Sequence, residues 1–386
     1  MKAIPYGRQF IDKSDIDAVR KTLTNDLITT GKEVIKFEKL FSKKVGVKYS
    51  VSCSSGTAAL LLTYLALGIK KNDVILTPSI NFIASVNMAE FINAKIFLTD
   101  VDPITGQMRP EDLINCINKN KIKKINTVVI MHNGGKASNM KAFFKLKKKY
   151  DFNIVEDACH ALGAKYSLKK NENVGNCKYS DISVFSFHPL KHITTGEGGV
   201  VTTNNKRLYE KLKIFRSHGI LRNRTSSKKY SWSYKIIAPG FNFRLSDIQC
   251  ALGSSQLKKL DLFVKERQNI AKLYKKKLSD LEPFVNFDNN TKHVLSSYHL
   301  FIISLKINKI KISRDDLIKK LFRNKITTQV HYIPIFKFPY YRKLYKKKFF
   351  ENALKYFKSS ISIPIYFGLK EREINYICLQ LKKYIK

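Results

Sequence analysis

From about residue 33 to residue 205 the chain alternates short apolar runs with stretches of helical spacing, and this restricts the fold more than any other feature. The runs at 49–53, 73–78, 95–101, 127–131, 153–157, 182–187 and 199–203 are rich in Val, Ile, Leu and Phe and end at small or polar residues. Continuous apolar runs of this length read as strands buried on both faces. Helical patterns between them, such as 57–69 and 82–92, supply the crossovers that parallel pairing needs. The expectation is an α/β fold with a mostly parallel seven-stranded sheet flanked by helices. Only a loop joins the last two strands, so one antiparallel edge is expected. After about residue 250 the texture changes. Residues 254–278 read as one long helix, and 296–305 and 326–335 as strands. The expected division is an N-terminal arm and large domain at 1–250, then a smaller α+β domain at 251–386, bridged by the long helix.

Composition narrows the function. The 386 residues include 71 Lys and Arg against 30 Asp and Glu, a net charge of +41. The lysines are dispersed, with short runs at 145–150, 274–278 and 345–350 on helical patterns, and no zinc-finger spacing, arginine-rich arm or aromatic RNA-binding signature occurs. Nucleic acid is therefore not the expected partner. A positive field suits an anionic small substrate, while a general bias toward Lys, Asn and Ile accounts for most of the charge. No apolar run approaches the roughly 20 residues that cross a bilayer, and residues 1–15 contain no apolar core of a signal peptide. The expectation is a cytoplasmic protein with no membrane partner. Cys53, Cys116, Cys159, Cys177, Cys250 and Cys378 are scattered without a metal-binding spacing, so free thiols and no metal are expected.

Four stretches carry chemistry. In SSGTAAL (54–60) a strand runs into a helix whose first amides and the hydroxyls of Ser55 and Thr57 form either an anion cradle or an ordinary cap. In NIVEDACHALGA (153–164) Asp157 falls at the C-terminal edge of the sheet, where open α/β folds bind ligands. It either caps a helix or holds a proton on a heterocyclic nitrogen. His160, three residues on, either faces the same cleft or is a satisfied core histidine. In FSFHPLKHITTGEGG (185–199) Lys191 follows an aliphatic and aromatic strand in a stretch otherwise nearly free of lysine. A lysine held against apolar and cationic groups loses proton affinity and becomes a nucleophile toward aldehydes. Ser186, five residues earlier, offers a hydroxyl to a phosphate. In APGFNFRLSDIQCALG (238–253) Asn242 and Arg244 either bind anions or pack the loop. Together these stretches supply a phosphate cradle, a carboxylate for a ring nitrogen and a lysine for an aldehyde. That set fits pyridoxal 5′-phosphate (PLP).

The same blocks, in this order, resemble the DegT/DnrJ-type sugar aminotransferases, PLP enzymes of fold type I. The resemblance runs over nearly the whole chain. It includes ITTGKEVIKFEKLF (28–41), TPSINFIASVN (77–87), GFNFRLSDIQCALGSSQL (240–257) and TQVHYIPIFKFPYY (328–341). Within the family the blocks most resemble UDP-4-amino-4,6-dideoxy-N-acetyl-β-L-altrosamine transaminases, which act on the way to pseudaminic acid. The resemblance implies that Lys191 bonds to the cofactor aldehyde and moves the proton at the amino-carrying carbon. It implies Asp157 at the pyridine nitrogen, His160 beside the ring hydroxyl and Phe82 stacked on the ring. Gly56, Thr57 and Ser186 would hold the phosphate, with Asn242 reaching it from a neighbouring subunit. His331 and Tyr332 would lie near a nucleotide-sugar, in the same subunit or also across the dimer. The implied reaction moves an amino group from L-glutamate, leaving 2-oxoglutarate, to a UDP-linked 4-keto-6-deoxy-N-acetylhexosamine in a C2 homodimer. Alternatives are a perosamine-type or C3 sugar aminotransferase, or a PLP-fold regulator without turnover. The chain departs from the family pattern at Asn81, where relatives often have Thr, in a longer loop at 166–181, and at 131–140.

Overall fold

The computed structural model describes residues 2–167, 172–221, 232–287, 294–345 and 350–386. Residues 168–171 of the 166–181 loop and 346–349 of the 345–350 lysine run lie outside the described residues. Helices α1 (Lys13–Leu23) and α2 (Lys32–Val45) precede the sheet. There follow β1 (Tyr49–Cys53), α3 (Gly56–Leu67), β2 (Val74–Pro78), α4 (Ala84–Phe91), β3 (Lys95–Thr99), α5 (Pro110–Lys119), β4 (Thr127–Met131), α6 (Met140–Tyr150) and β5 (Asn153–Asp157). A short hairpin, β6 (Lys165–Ser167) and β7 (Glu172–Asn173), leads to β8 (Ile182–Ser186), β9 (Gly199–Thr203) and α7 (Lys206–Arg216). Seven strands form one sheet in the order β1-β9-β8-β5-β4-β2-β3.

The pairs β8/β5, β5/β4, β4/β2 and β2/β3 are parallel, and β9 is antiparallel to both β1 and β8. The antiparallel strand is therefore not at the edge, as the sequence suggested, but second from it. Strand β1, from far back in the chain, caps it. A hairpin between β8 and β9 sets their relative direction but leaves the other side of β9 free to take any strand. Because β1 opposes β9, it runs the same way as β8, and the C-terminal ends of six strands share one edge of the sheet. Helix α3 is apolar on nearly every side, with Leu60, Leu61, Leu62 and Tyr64 buried, as a helix sandwiched in the interior must be.

Beyond the hairpin β10 (Ile220–Leu221) and β11 (Lys235–Ile236) lie α8 (Asp247–Lys258) and α9 (Leu260–Lys277). The single helix expected at 254–278 is thus two, broken at Lys259. The break falls where the Lys259 ammonium is held by Asp15 at 2.6 Å and Asp12 at 2.9 Å. A three-stranded antiparallel sheet follows, from β12 (Val285–Phe287), β13 (Phe301–Leu305) and, after α10 (Arg314–Arg323) and α11 (Glu351–Ser359), β14 (Ser360–Ile363); α12 (Glu371–Ile385) ends the chain. The strand expected at 296–305 is shorter than its apolar pattern. Residues 326–335 form no strand: they make two isolated bridges, Ile326 to Ile4 and Gln329 to Ser362, bend at His331, and end where Ile335 opens a 3-10 turn. Alternation reports which side chains are covered, not whether the backbone has a ladder partner, so it cannot separate the two cases. Ile4 joins the apolar cluster built by α9, α10, α12 and β12–β14. Ile335, Phe336 and Tyr356 pack instead against Ile80, Val86 and Leu98 of the seven-stranded part. The six cysteines are free thiols. Among the described residues no helix is long and apolar enough to cross a membrane.

The segment entering α2 is tied to α8 by one carboxylate. Asp247, fully buried, accepts the amides of Gly31 at 2.7 Å, Glu33 at 2.8 Å and Val34 at 3.3 Å. Asp247→Ala would leave these first-turn donors buried without acceptors, at a cost of about 3 kcal/mol. The expected outcome is a melting temperature several degrees lower by differential scanning fluorimetry; an unchanged one would refute this role.

Candidate active site

Where β1, β8, β5 and β4 end, their following loops enclose a cavity of about 560 Å³, within the range of small-molecule sites. Its walls include Lys191, Asp157, His160 and Ser186 from the sheet edge, Gly56 and Thr57 from the start of α3, and Phe82. His331 and Tyr332 enter from the 326–335 segment of the same chain. Of the residues singled out from the sequence, Asn242 and Arg244 stand outside its lining: Asn242 is exposed and bridges to Ser217.

The anion cradle is built by a helix start. Ser55 is extended and its Oγ accepts the Ala58 amide at 3.0 Å. The amides of Gly56 and Thr57, in the first turn of α3, have no acceptor within the helix. Gly56 packs so closely on β8 that a Cβ there would lie 2.9 Å from Ser186 Cβ. A larger residue would push the helix start away from the serine, so glycine keeps amides and hydroxyl together. A phosphate suits that combination of donors and helix dipole.

Lys191 lies in the loop after β8. Its backbone closes a turn to His188 at 2.8 Å, and Phe187 is pinned by Gly198, Thr194 and Thr195. The lysine amine makes no hydrogen bond or ion pair among the described residues. Burial pushes its pKa below the ordinary lysine value, partly opposed by Cys159 and Asp157. Asp157 closes β5 with only 4% of its surface exposed, and accepts the Cys159 amide at 3.2 Å. Lys191 is the one Lys or Arg among the described residues that line the cavity, so the large positive charge of the chain is not concentrated there.

Behind the lysine lies a cluster of buried histidines. His160 and His299 have ring centroids 4.3 Å apart, His192 and His299 5.5 Å, and His160 and His331 6.2 Å. Burial lowers every one of their pKa values, to about 3 for His192 and His331, and the nearby Lys191 charge adds to the effect. The cluster is therefore neutral. Arg267, buried beside it, donates to the carbonyls of Ile365 at 2.8 Å and of Tyr298 and His299 at 3.3 Å. Gly135, at φ 94°, lets His299 approach: a Cβ there would lie 2.7 Å from the His160 carbonyl and 2.8 Å from the His299 amide. His160 Nδ1 is buried without a partner.

These residues fit PLP. The cradle suits its phosphate, the unpaired amine its aldehyde and the strand-end carboxylate its ring nitrogen, and an orphaned imidazole nitrogen is ready for its ring hydroxyl. Wall residues that the sequence does not single out for the site include Tyr6, Cys159, Glu197 and His299. Tyr6 carries no signal, since it comes from the arm. Cys159 shows in the sequence only as a scattered thiol and His299 only as part of a strand pattern, although a histidine within SSYHLFIISL is a polar interruption of an apolar run. Asn81 is buried, donates to Ser85 Oγ at 3.0 Å, and leaves its Oδ1 unpartnered at the cavity wall.

The chain matches the DegT/DnrJ/EryC1/StrS aminotransferase family over residues 9–382. It is 37% identical over 374 residues to a UDP-4-amino-4,6-dideoxy-N-acetyl-beta-L-altrosamine transaminase of Campylobacter jejuni, covering 97% of this chain and 95% of the relative. It is 31% identical over 385 residues to a GDP-perosamine synthase of Escherichia coli O157:H7, covering 100% and 99%. Its fold superposes with a TM-score of 0.91, at 30% identity and 100% and 99% coverage, on PseC of Helicobacter pylori, an aminotransferase involved in the biosynthesis of pseudoaminic acid. The chain belongs to the DegT/DnrJ/EryC1/StrS family and is a PLP-dependent sugar aminotransferase.

Proposed function

We propose that the enzyme transfers an amino group from L-glutamate to C4 of a UDP-linked 4-keto-6-deoxy-N-acetylhexosamine, in the cytoplasm, on the way to pseudaminic acid. The observation that carries the catalytic part is the meeting of Lys191, Asp157, His160 and the α3 cradle in one cavity. The similarity to the altrosamine transaminase and to PseC supports the sugar and the pathway.

When bound, PLP supplies the electron sink through which the amino group passes. The start of α3, through the amides of Gly56 and Thr57, holds the phosphate together with Ser186 Oγ. Asp157 keeps a proton on the ring nitrogen. Phe82, half-exposed toward the cavity, covers the ring face. Lys191, with its pKa lowered by burial, takes a proton from Cα of L-glutamate and in the second half of the cycle delivers one to C4 of the sugar. Neutral histidines around it avoid a second cation that would compete for Asp157. His331 and Tyr332 border the space left for the sugar. Asn242 acts on the phosphate of a neighbouring subunit in a homodimer, which agrees with its exposure outside its own chain's cavity.

The substrate is tested by incubating the holoenzyme with L-glutamate and defined keto-sugars. Formation of 2-oxoglutarate and a 4-amino sugar is expected with the UDP-linked N-acetylhexosamine. Preference for a GDP-linked 4-keto-6-deoxy sugar, or for a 3-keto sugar, would refute the assignment. The shared site is tested by mixing inactive Lys191→Ala with Asn242→Ala after dissociation and reassociation. Heterodimers would regain one intact site, restoring about a quarter of wild-type activity in an equal mixture. No gain over the separate variants would place Asn242 in its own subunit or outside catalysis. Asp157→Ala is expected to lower kcat by about 100-fold or more; a smaller loss in a folded variant would remove it from the ring nitrogen.

A further inference from the structure

Tyr332 reaches across the cavity to His160. Its Oη lies 2.8 Å from His160 Nε2, and the two rings stack with centroids 5.9 Å apart at 28°. On its other side the ring of Phe82 lies 5.9 Å away. Tyr332 thus touches two of the groups assigned to the cofactor ring. Its segment is also fixed from behind. The buried Tyr356 hydroxyl donates to the His331 carbonyl at 2.8 Å, and His331 Nδ1 pairs with Ser362 Oγ at 2.8 Å. The backbones of Gln329 and Ser362 exchange two hydrogen bonds.

A neutral imidazole carries one proton, on either nitrogen. His160 is held neutral by burial and by Lys191, with His331 and His192 adding to the effect. His299 packs against it, and Asp157, Cys159, Tyr6, His188 and Glu197 are the other titratable groups of the same cavity wall. Tyr332 is kept protonated by burial and by the nearby Asp157. The only hydrogen-bond partner of its hydroxyl among the described residues is His160 Nε2. A phenol left without an acceptor would cost about 1–3 kcal/mol. The hydroxyl therefore donates to Nε2, and the imidazole proton sits on Nδ1. That nitrogen is buried without a partner in the chain, so the N–H waits for an acceptor.

We propose that Tyr332 is a positioning residue for the cofactor: by donating to His160 Nε2 it fixes the tautomer in which Nδ1–H serves the cofactor's ring oxygen. This rests on the placement of His160 beside that oxygen in the proposed function. Tyr332 then does more than border the sugar. It links the 326–335 segment to the electronic state of the ring.

The test is a pH titration of the visible absorbance of the PLP-loaded protein, without amino donor or sugar, for wild type, Tyr332→Phe, His160→Gln and the double variant. Melting temperatures check that each folds. A deprotonated oxygen that loses its donor holds a proton more tightly. The midpoint is therefore expected to rise by about one pH unit in Tyr332→Phe, the equivalent of one neutral hydrogen bond. In the double variant the tyrosine change should add nothing to the shift of His160→Gln alone. If His160→Gln moves the midpoint while Tyr332→Phe does not, and only KM for the sugar rises, Tyr332 is a substrate contact and the proposal is wrong. A Tyr332→Phe shift that persists in full in the double variant would overturn the placement of His160 as well.

Discussion

The site depends on desolvating a lysine amine without giving it a counter-ion. Among the described residues Lys191 has no hydrogen-bonded carboxylate, and burial lowers its proton affinity. The groups packed behind it are four histidines, which burial keeps uncharged. Asp157 is near enough to oppose the shift without pairing with the amine. A lysine locked in an ion pair would be a poor base, and one in water would be fully protonated near neutral pH. The geometry between these extremes requires rigid surroundings, which the sheet edge provides.

The sheet provides them through its topology. With β1 antiparallel to β9 and β9 antiparallel to β8, the end of β1 joins the ends of β8, β5 and β4. That is how the helix start at Gly56 comes beside Ser186, and Asp157 beside the Lys191 loop. Two glycines permit the closest approaches, Gly56 against β8 and Gly135 between His160 and His299. The 326–335 segment then closes the remaining wall with His331 and Tyr332.

Much of this was legible in the sequence. Strands β1, β4, β5 and β8 are five residues long, and each carries or closely precedes a residue of the cavity wall. Lys191 and Asp157 stood out because their positions at strand ends are chemically unusual, not because of their residue types. The illegible parts depend on long-range contacts. The place of β9 inside the sheet is set by β1, about 150 residues earlier. The 326–335 segment has strand-like alternation, but no neighbour offers it a ladder. His299 reaches the site only because Gly135 leaves room. The +41 charge was also a poor guide: Lys191 is the one described Lys or Arg in the cavity wall, and many other lysines pair at the surface, as Lys386 and Lys382 do with Asp280. Such exposed pairs contribute little to stability.

The central claim is that Lys191 performs the proton transfers of an aminotransferase. The most direct measurement is the visible absorbance spectrum of the protein loaded with PLP, before and after addition of L-glutamate, for wild type beside Lys191→Ala. The account predicts a visible band in wild type that disappears with L-glutamate while 2-oxoglutarate accumulates. It predicts that the variant lacks that band and forms no 2-oxoglutarate above background. A wild-type band indifferent to glutamate, or the same response in both proteins, would contradict it.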